Sequence, residues 1–116
     1  MFYLYAAVMD IIISQPLSVV VSKGDNVVFT CRTSKQYNIT VTWTKNGLSL
    51  LKDKLDLKSP RYKVDDDNTL TIYNVSQEID AGYYYCVAWN DMMKAESYPR
   101  AQLVIEGKLY HSVKDY

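Results

Sequence analysis

Residues 80–86 read DAGYYYC and place three consecutive tyrosines directly before a cysteine. A soluble domain rarely lines up three bulky aromatic side chains. In a β-strand successive side chains point to opposite faces, so the middle tyrosine would face away from its two neighbours. Which of the three faces the core therefore depends on the direction of Cys86.

Four other segments alternate apolar and polar residues with a period of two, which is the pattern of half-buried strands. They are NVVFTC at 26–31, ITVTWT at 39–44, NTLTIYN at 68–74 and RAQLVIE at 100–106. Turn-forming residues separate them, and Asn46-Gly47 is typical of a two-residue hairpin because both residues tolerate positive φ. Many short strands with regular turns predict an all-β sandwich or barrel.

Length and charge limit the classes of protein. The 116 residues suffice for one domain, and a hydrophobic content of 48% is enough for a buried core. The 13 basic and 13 acidic residues balance, which argues against general binding to nucleic acid or to a membrane surface, since both favour a basic excess. No stretch is long enough to span a bilayer, so a membrane anchor would lie outside this chain. We expect residues 1–9 to be a strand lead-in or a signal-peptide remnant, 10–106 to be the domain, and 107–116 to be a linker or tail.

The sequence lacks the pattern of a catalytic or metal site. A nucleophile needs an adjacent base, and the single histidine, His111, lies outside the predicted domain. No glycine-rich phosphate loop occurs. Asp65-Asp66-Asp67 lacks the ligand order, central glycine and distal glutamate of a calcium loop, which favours a solvated turn. We therefore predict a protein that is not an enzyme and that uses no metal and no cofactor.

Cys31 and Cys86 are 55 residues apart (86 − 31), a spacing that does not suit a metal site. They either pair with each other or remain inert buried thiols. Two sequons, Asn38-Ile39-Thr40 and Asn74-Val75-Ser76, favour an oxidising and glycosylating compartment and thus pairing. Asn38 and Asn74 are accordingly the predicted glycosylation sites.

Together these features resemble the immunoglobulin fold. The resemblance is carried by Cys31, Trp43, the segment Leu70-x-Ile72-x-x-Val75 and the DAGYYYC run. It covers residues 11–106 and looks most like the I-set of adhesion molecules and receptors. The last strand lacks the Gly-x-Gly bulge of antigen-receptor variable domains. The resemblance implies an all-β, two-sheet antiparallel sandwich with Greek-key topology.

The resemblance also implies which side chains face the core. Cys31 on strand B would form a disulfide with Cys86 on strand F, and Trp43 would pack on that bridge. The middle tyrosine would be the buried tyrosine corner, whose hydroxyl bonds the upstream backbone. An ion pair between Arg61 and Asp80 would close the bottom of the sandwich. The predicted core residues are Trp43, Tyr84, Leu70 and Ile72.

If Tyr84 and Cys86 point inward, the alternate residues of the same strand point outward. With the neighbouring strands they form an uncharged face that contains a tryptophan, and interface centres are depleted in charge and enriched in Tyr, Trp and Met. Two methionines in the predicted F–G loop, NDMMKAESYP, form a second candidate surface, because methionine is common at recognition surfaces. Alternatively, the segment LSLLKD or a loop covers Trp89, and one methionine folds under its own loop. The predicted partner-binding residues are Thr42, Thr44, Tyr85, Val87, Trp89, Met92, Met93 and Gln102.

The favoured function is extracellular protein recognition or cell adhesion, as one domain of a larger receptor or adhesion protein. The partner would be another extracellular domain, bound homophilically or heterophilically, and a weak homodimer is one form of that contact. The alternatives are a structural spacer in a multi-domain protein and a small secreted ligand or decoy.

Overall fold

The computed structural model describes residues 11–50 and 61–107. Several predictions on the sequence fall outside these ranges: the lead-in at 1–9, most of the tail at 107–116 with His111, and the end of the LSLLKD segment. The described residues contain eleven strands and one short helix. In chain order they are β1 (Ile12–Ser14), β2 (Val19–Ser22), β3 (Val27–Phe29), β4 (Arg32–Thr33), β5 (Thr40–Lys45), β6 (Leu48–Leu50), β7 (Tyr62–Val64), β8 (Leu70–Ile72), α1 (Gln77–Asp80), β9 (Gly82–Trp89), β10 (Lys94–Glu96) and β11 (Ala101–Glu106).

The strands form two layers. One layer has the order β2-β11-β9-β5-β6, and β10 also pairs with β9. The other has the order β3-β8-β7, and β1 pairs with β4, which follows β3 along the chain. β2 runs parallel to β11, and the remaining pairs are antiparallel. Because β3 pairs with β8 and β5 with β9, the connections are those of a Greek key. The all-β sandwich predicted from the sequence is confirmed.

The core lies between the layers and is filled by alternate residues of each strand. Cys31 and Cys86 form the predicted disulfide, with their Cα atoms 6.4 Å apart. Phe29 stacks on Tyr84 with 5.1 Å between ring centroids, a favourable distance for aromatic pairs. The indole N–H of Trp43 donates to the carbonyl of Asn68 at 2.9 Å, so this buried ring leaves no polar atom unpaired. Leu70 and Ile72, also predicted as core residues, are fully buried.

The hairpin between β5 and β6 forms at the predicted Asn46-Gly47 turn. Asn46 has φ 50° and Gly47 has φ 86°, and Lys45 pairs directly with Leu48. Positive φ at both central residues is the type I′ geometry, whose twist matches that of the flanking strands. The Asn46 side chain also accepts a hydrogen bond from the backbone N–H of Tyr83 at 2.9 Å, which ties the hairpin to the start of β9.

The bottom of the sandwich is organised by α1, a single helical turn that the periodicity of the sequence does not indicate. The turn ends at Asp80, whose side chain is fully buried. The hydroxyl of Tyr84 donates to the Asp80 carbonyl at 2.7 Å, which is the bond of a tyrosine corner. Burial raises the pKa of this phenol well above its ordinary value, because the charged form would be poorly solvated.

Candidate partner-binding face

The candidate face is the outer surface of the layer that contains β9. Along β9, Tyr84, Cys86 and Ala88 are buried in the core, and the alternate side chains lie on the opposite surface of the layer. These pair with the threonines of β5: Tyr85 with Thr44, Val87 with Thr42, and Trp89 with Thr40. The register therefore builds the predicted row of aromatic, aliphatic and threonine side chains.

Two residues of the predicted face are not accessible, which corrects the sequence prediction. Tyr85 is only 8% exposed and Thr44 only 6%. Tyr85 is covered by Arg100, whose guanidinium lies 4.3 Å from the centroid of its ring, well within the range of cation–π contacts. Thr44 lies between its cross-strand neighbours, Tyr85 on β9 and Ser49 on β6. Because the planar guanidinium covers the ring, Tyr85 lies on the outer face without offering its ring to a partner.

Arg100 reaches Tyr85 because the last strand is interrupted opposite it. β10 ends at Glu96, which pairs with Val87, and β11 begins at Ala101, which pairs with Tyr84. Between them Ser97 replaces the regular ladder: its N–H donates to the Cys86 carbonyl at 2.9 Å, and its hydroxyl accepts from the Cys86 N–H at 2.9 Å. Pro99 is the signal that sequence analysis could have used, because proline cannot donate to a ladder and usually marks a strand break.

The F–G loop is shorter than predicted. Lys94–Glu96 form β10, so the turn is confined to residues 90–93, closed by a hydrogen bond from the Asn90 N–H to the Met93 carbonyl at 2.9 Å. The Asn90 side chain accepts from the N–H groups of both Met92 and Met93. Met92 is 87% exposed, but Met93 is partly buried and packs against the core. This is the alternative in which one methionine folds under its own loop, so of the two methionines in the predicted set only Met92 is exposed.

The covered Tyr85 divides the outer face into two concave ends. One end, which we call the Trp89 groove, has a volume of about 380 Å³. Trp89 lines it and is 40% exposed, so among the described residues neither β6 nor a loop buries this ring. The groove is lined by Asn38, Thr40, Trp89, Asn90, Asp91 and Met92.

The other end, which we call the Tyr98 notch, was missed by the sequence analysis. It is a depression of about 550 Å³ beside the strand break. Tyr98 is 82% exposed there and Tyr83 is 48% exposed. The Tyr98 backbone is held in place, because its N–H donates to the Gln15 side chain at 2.9 Å. The notch is lined by Tyr83, Glu96, Ser97, Tyr98, Pro99 and Arg100.

Ion pairs do not neutralise the charged residues of the face among the described residues. Within residues 11–50 and 61–107 the one ion pair joins Arg61 and Asp80, at the bottom of the sandwich. Glu96 and Arg100 of the Tyr98 notch therefore have no ionic partner in the described part of the chain. Three residues of the predicted set remain: Thr42 and Val87 are half-buried, and Gln102 is exposed beside Tyr83.

The Arg61–Asp80 pair is structural. Both guanidinium N–H groups of Arg61 donate to the Asp80 carboxylate, one of them at 3.1 Å to Oδ1. Asp80 also accepts from the Ser76 N–H at 2.8 Å and from the Tyr62 hydroxyl at 3.4 Å. The bonds to the carboxylate raise the pKa of Arg61. A buried carboxylate with this many donors is a satisfied charge, not a reactive one.

The candidate modification sites lie on the surface. Both predicted glycosylation residues, Asn38 and Asn74, are exposed.

In the described residues no group of three or more His, Cys, Asp or Glu side chains is placed to hold a metal ion. Among the described residues, no helix has the length and hydrophobicity needed to cross a membrane.

Comparison with known proteins places this geometry in a family. A family model described as an immunoglobulin domain matches residues 11–90. The chain belongs to the immunoglobulin domain family. Protein sax-3 of Caenorhabditis elegans is 34% identical to this immunoglobulin domain over 92 residues, which are 75% of the chain and 7% of the worm protein. The chain therefore spans a small part of the relatives it matches.

Two solved structures resemble this immunoglobulin domain closely. The N-terminal Ig1-2 module of the Drosophila receptor protein tyrosine phosphatase DLAR is 30% identical with a TM-score of 0.69, and the match covers 82% of this chain and 44% of that one. The titin I-band fragment I67-I69 is 28% identical with a TM-score of 0.68, and the match covers 83% and 32%. In both cases this domain corresponds to one unit of a longer array.

Proposed function

We propose that this chain is one immunoglobulin domain of a larger extracellular protein, and that it binds another extracellular protein through the Tyr98 notch and the exposed face beside it. The single observation that carries the proposal is the exposure of Tyr98, which is 82% accessible although its backbone is held in place. Tyr98 does not stand alone, because Tyr83, which is 48% exposed, lines the same notch, and contiguous exposed apolar patches mark contact surfaces.

The composition of the notch supports protein recognition. Tyrosine and arginine dominate the energetics of protein interfaces, especially where they surround a depression that a partner side chain can fill. Tyr98 and Tyr83 supply two aromatic walls, and Arg100 lies against Tyr85 with its charge unpaired by the described residues. Gln102 and Val104 extend the exposed face along β11. The partner would therefore present an apolar side chain flanked by an acidic group.

Three observations support the extracellular compartment. The Cys31–Cys86 disulfide is typical of oxidising environments. Two sequons have exposed asparagines. One of the solved relatives is a module of a receptor protein tyrosine phosphatase.

The proposal is tested with the full chain, secreted from eukaryotic cells and fused to a dimerising tag so that weak contacts gain avidity. This protein is used to probe an array of purified extracellular domains that includes the chain itself. We expect at least one specific signal, which Tyr98→Ala removes. Tyr73→Ala is the matched control, because Tyr73 is a partly exposed tyrosine that follows β8 on the other layer.

A binding signal that is lost with Tyr98→Ala and kept with Tyr73→Ala supports the notch as the binding surface. If both variants lose the signal equally, or if both keep it, the notch is not the binding surface. A homophilic signal would appear as self-association on sedimentation, and it should weaken with the same substitution.

A structural spacer is the second candidate function, favoured by the likeness to one unit of the titin I-band fragment I67-I69. A spacer needs neither a partner nor an oxidising compartment. Mass spectrometry of the natural protein under non-reducing conditions separates the two, because free thiols at Cys31 and Cys86 with unmodified sequons would favour the spacer.

A further inference from the structure

We propose that an N-linked glycan on Asn38 lies in the Trp89 groove, with its first sugar ring packed on the indole. The inference rests on the extracellular location in the proposed function, but it concerns the opposite end of the face. It assigns the exposed tryptophan an occupant from its own chain and leaves the Tyr98 notch as the surface for a partner.

The geometry brings the sequon and the indole together. Thr40, the third residue of the Asn38 sequon, is the direct cross-strand partner of Trp89. Directly opposed residues of an antiparallel pair have Cβ atoms about 4.5–5.5 Å apart, so their side chains contact. Asn38 and Trp89 line the same groove. A glycan that begins on the Asn38 side chain therefore starts in a groove that is also lined by an exposed aromatic ring.

The chemistry of the groove suits a sugar. A pyranose ring has one face of C–H groups, which carry partial positive charge, and a rim of hydroxyls. The electron-rich face of an indole attracts the former, and Thr40, Asn90 and Asp91 offer hydrogen-bonding groups to the latter. The volume of about 380 Å³ is in the range of small-ligand pockets, which run from about 300 to 1,000 Å³.

Covalent attachment explains why a shallow site would suffice. A free monosaccharide loses translational entropy when it binds, and a half-open groove offers few contacts to offset that loss. A glycan on Asn38 is already tethered in the groove, so its local concentration is high, as for any linked pair of binding groups. The groove then needs only to orient the first sugar.

The second sequon provides a natural contrast. Asn74 has φ 53° in a tight turn, and its backbone groups bond Asn26 and Arg61. The hydroxyl of Ser76, which completes that sequon, is buried without a hydrogen-bond partner in the described structure. Asn74 lines neither the Trp89 groove nor the Tyr98 notch. A glycan there would extend into solvent and serves as the control.

The experiment uses the full chain secreted from eukaryotic cells, with Asn38→Gln and Asn74→Gln as a matched pair of variants. The first readout is acrylamide quenching of tryptophan fluorescence in the native proteins. Trp43 is buried in all of them, so a change reports on Trp89. We expect quenching to increase with Asn38→Gln and to stay unchanged with Asn74→Gln. Trimming the glycans enzymatically to a single sugar should preserve the protection.

The second readout is the melting temperature in a double-mutant cycle with Trp89→Ala. When Trp89 is present, loss of the Asn38 glycan should lower the melting temperature by roughly 4–8 °C, which is the effect of one aromatic contact in a domain of this size. In the Trp89→Ala background, loss of the glycan should have little effect on the melting temperature. If Trp89→Ala fails to fold, the quenching data on the native tryptophan protein decide alone.

The inference is overturned if intact-mass analysis of the secreted protein finds Asn38 unmodified, or if Asn38→Gln leaves the quenching of Trp89 unchanged. Protection of Trp89 that depends on protein concentration and survives Asn38→Gln would assign the groove to a second protein copy instead. None of these results changes the expected effect of Tyr98→Ala on partner binding, so the two proposals fail independently.

Discussion

Arg61→Met should destabilise the domain far more than the loss of a surface ion pair. The substitution keeps most of the length of the side chain and its apolar stem but removes the guanidinium that contacts both carboxylate oxygens of Asp80. Arg61 itself is 23% exposed, whereas Asp80 is 0% exposed. The carboxylate left behind therefore cannot turn to solvent. Among the described residues only the Ser76 N–H and the Tyr62 hydroxyl still donate to it, and the partly buried Lys45 ammonium is the positive charge that remains nearby without a hydrogen bond to it.

The expected loss of stability follows from this difference in burial between Arg61 and Asp80. Removing one partner of a buried pair leaves an uncompensated charge and typically costs about 3–5 kcal/mol, whereas an exposed pair contributes about 0–1 kcal/mol. Because Asp80 is completely enclosed, we expect Arg61→Met to fall in the first range. Domains of this kind have a total stability of about 5–15 kcal/mol, so the variant should still fold, with a clearly lower midpoint of unfolding.

A sharper test is whether a second substitution, Asp80→Asn, raises or lowers the free energy of unfolding. Asp80→Asn in the natural background removes charge-assisted hydrogen bonds and should cost about 1.5–3 kcal/mol. In the Arg61→Met background the same change removes an unpaired buried charge, so it should stabilise. Urea unfolding followed by tryptophan fluorescence gives all four free energies of the cycle. A cost below about 1 kcal/mol for Arg61→Met, or an equal cost of Asp80→Asn in both backgrounds, would show that the pair behaves as an exposed one.

Three other perturbations have expected outcomes. Tyr84→Phe removes the donor to the Asp80 carbonyl, which should lower the free energy of unfolding by about 1–3 kcal/mol; a change within 0.3 kcal/mol would show that the corner bond is dispensable. The folded domain keeps the Tyr84 proton that the unfolded chain releases near pH 10.0, so stability should fall above that pH by up to about 1.4 kcal/mol per unit, and less steeply in Tyr84→Phe. An identical alkaline slope in both proteins would contradict this origin. Replacing Cys31 and Cys86 with alanine should cost about 4 kcal/mol in the chain-entropy model of a 55-residue loop, measured by denaturant unfolding, and an unchanged midpoint would argue against that model.

The direction of each side chain on β9 was predictable because it depends on local geometry. A strand has a period of two, and the position of Cys86 in the core sets the direction of its neighbours. Tyr84 accordingly lies in the core and Tyr83 in solvent. The hairpin at Asn46-Gly47 was predictable for the same reason, since its two residues carry the conformational preference themselves.

Accessibility was less predictable, because it depends on what lies above a side chain. Tyr85 points to the outer face as alternation requires, but Arg100, fifteen residues further along the chain, lies over its ring. No pattern around Tyr85 indicates this contact. Helix α1 was missed for a different reason: a four-residue turn is too short to show a helical period, although it places Asp80 in the core.

The break between β10 and β11 links the structural and functional properties of the face. A continuous last strand would have placed regular side chains beside Tyr85 and left one flat surface from Trp89 to Tyr83. Because Ser97 completes the ladder with its own hydroxyl, the chain can depart from β9 for the next residues without leaving Cys86 unpaired. That departure exposes Tyr98 and turns Arg100 back over Tyr85. The same local event thus separates the Trp89 groove from the Tyr98 notch, so that one domain face can carry a sugar at one end and a protein contact at the other.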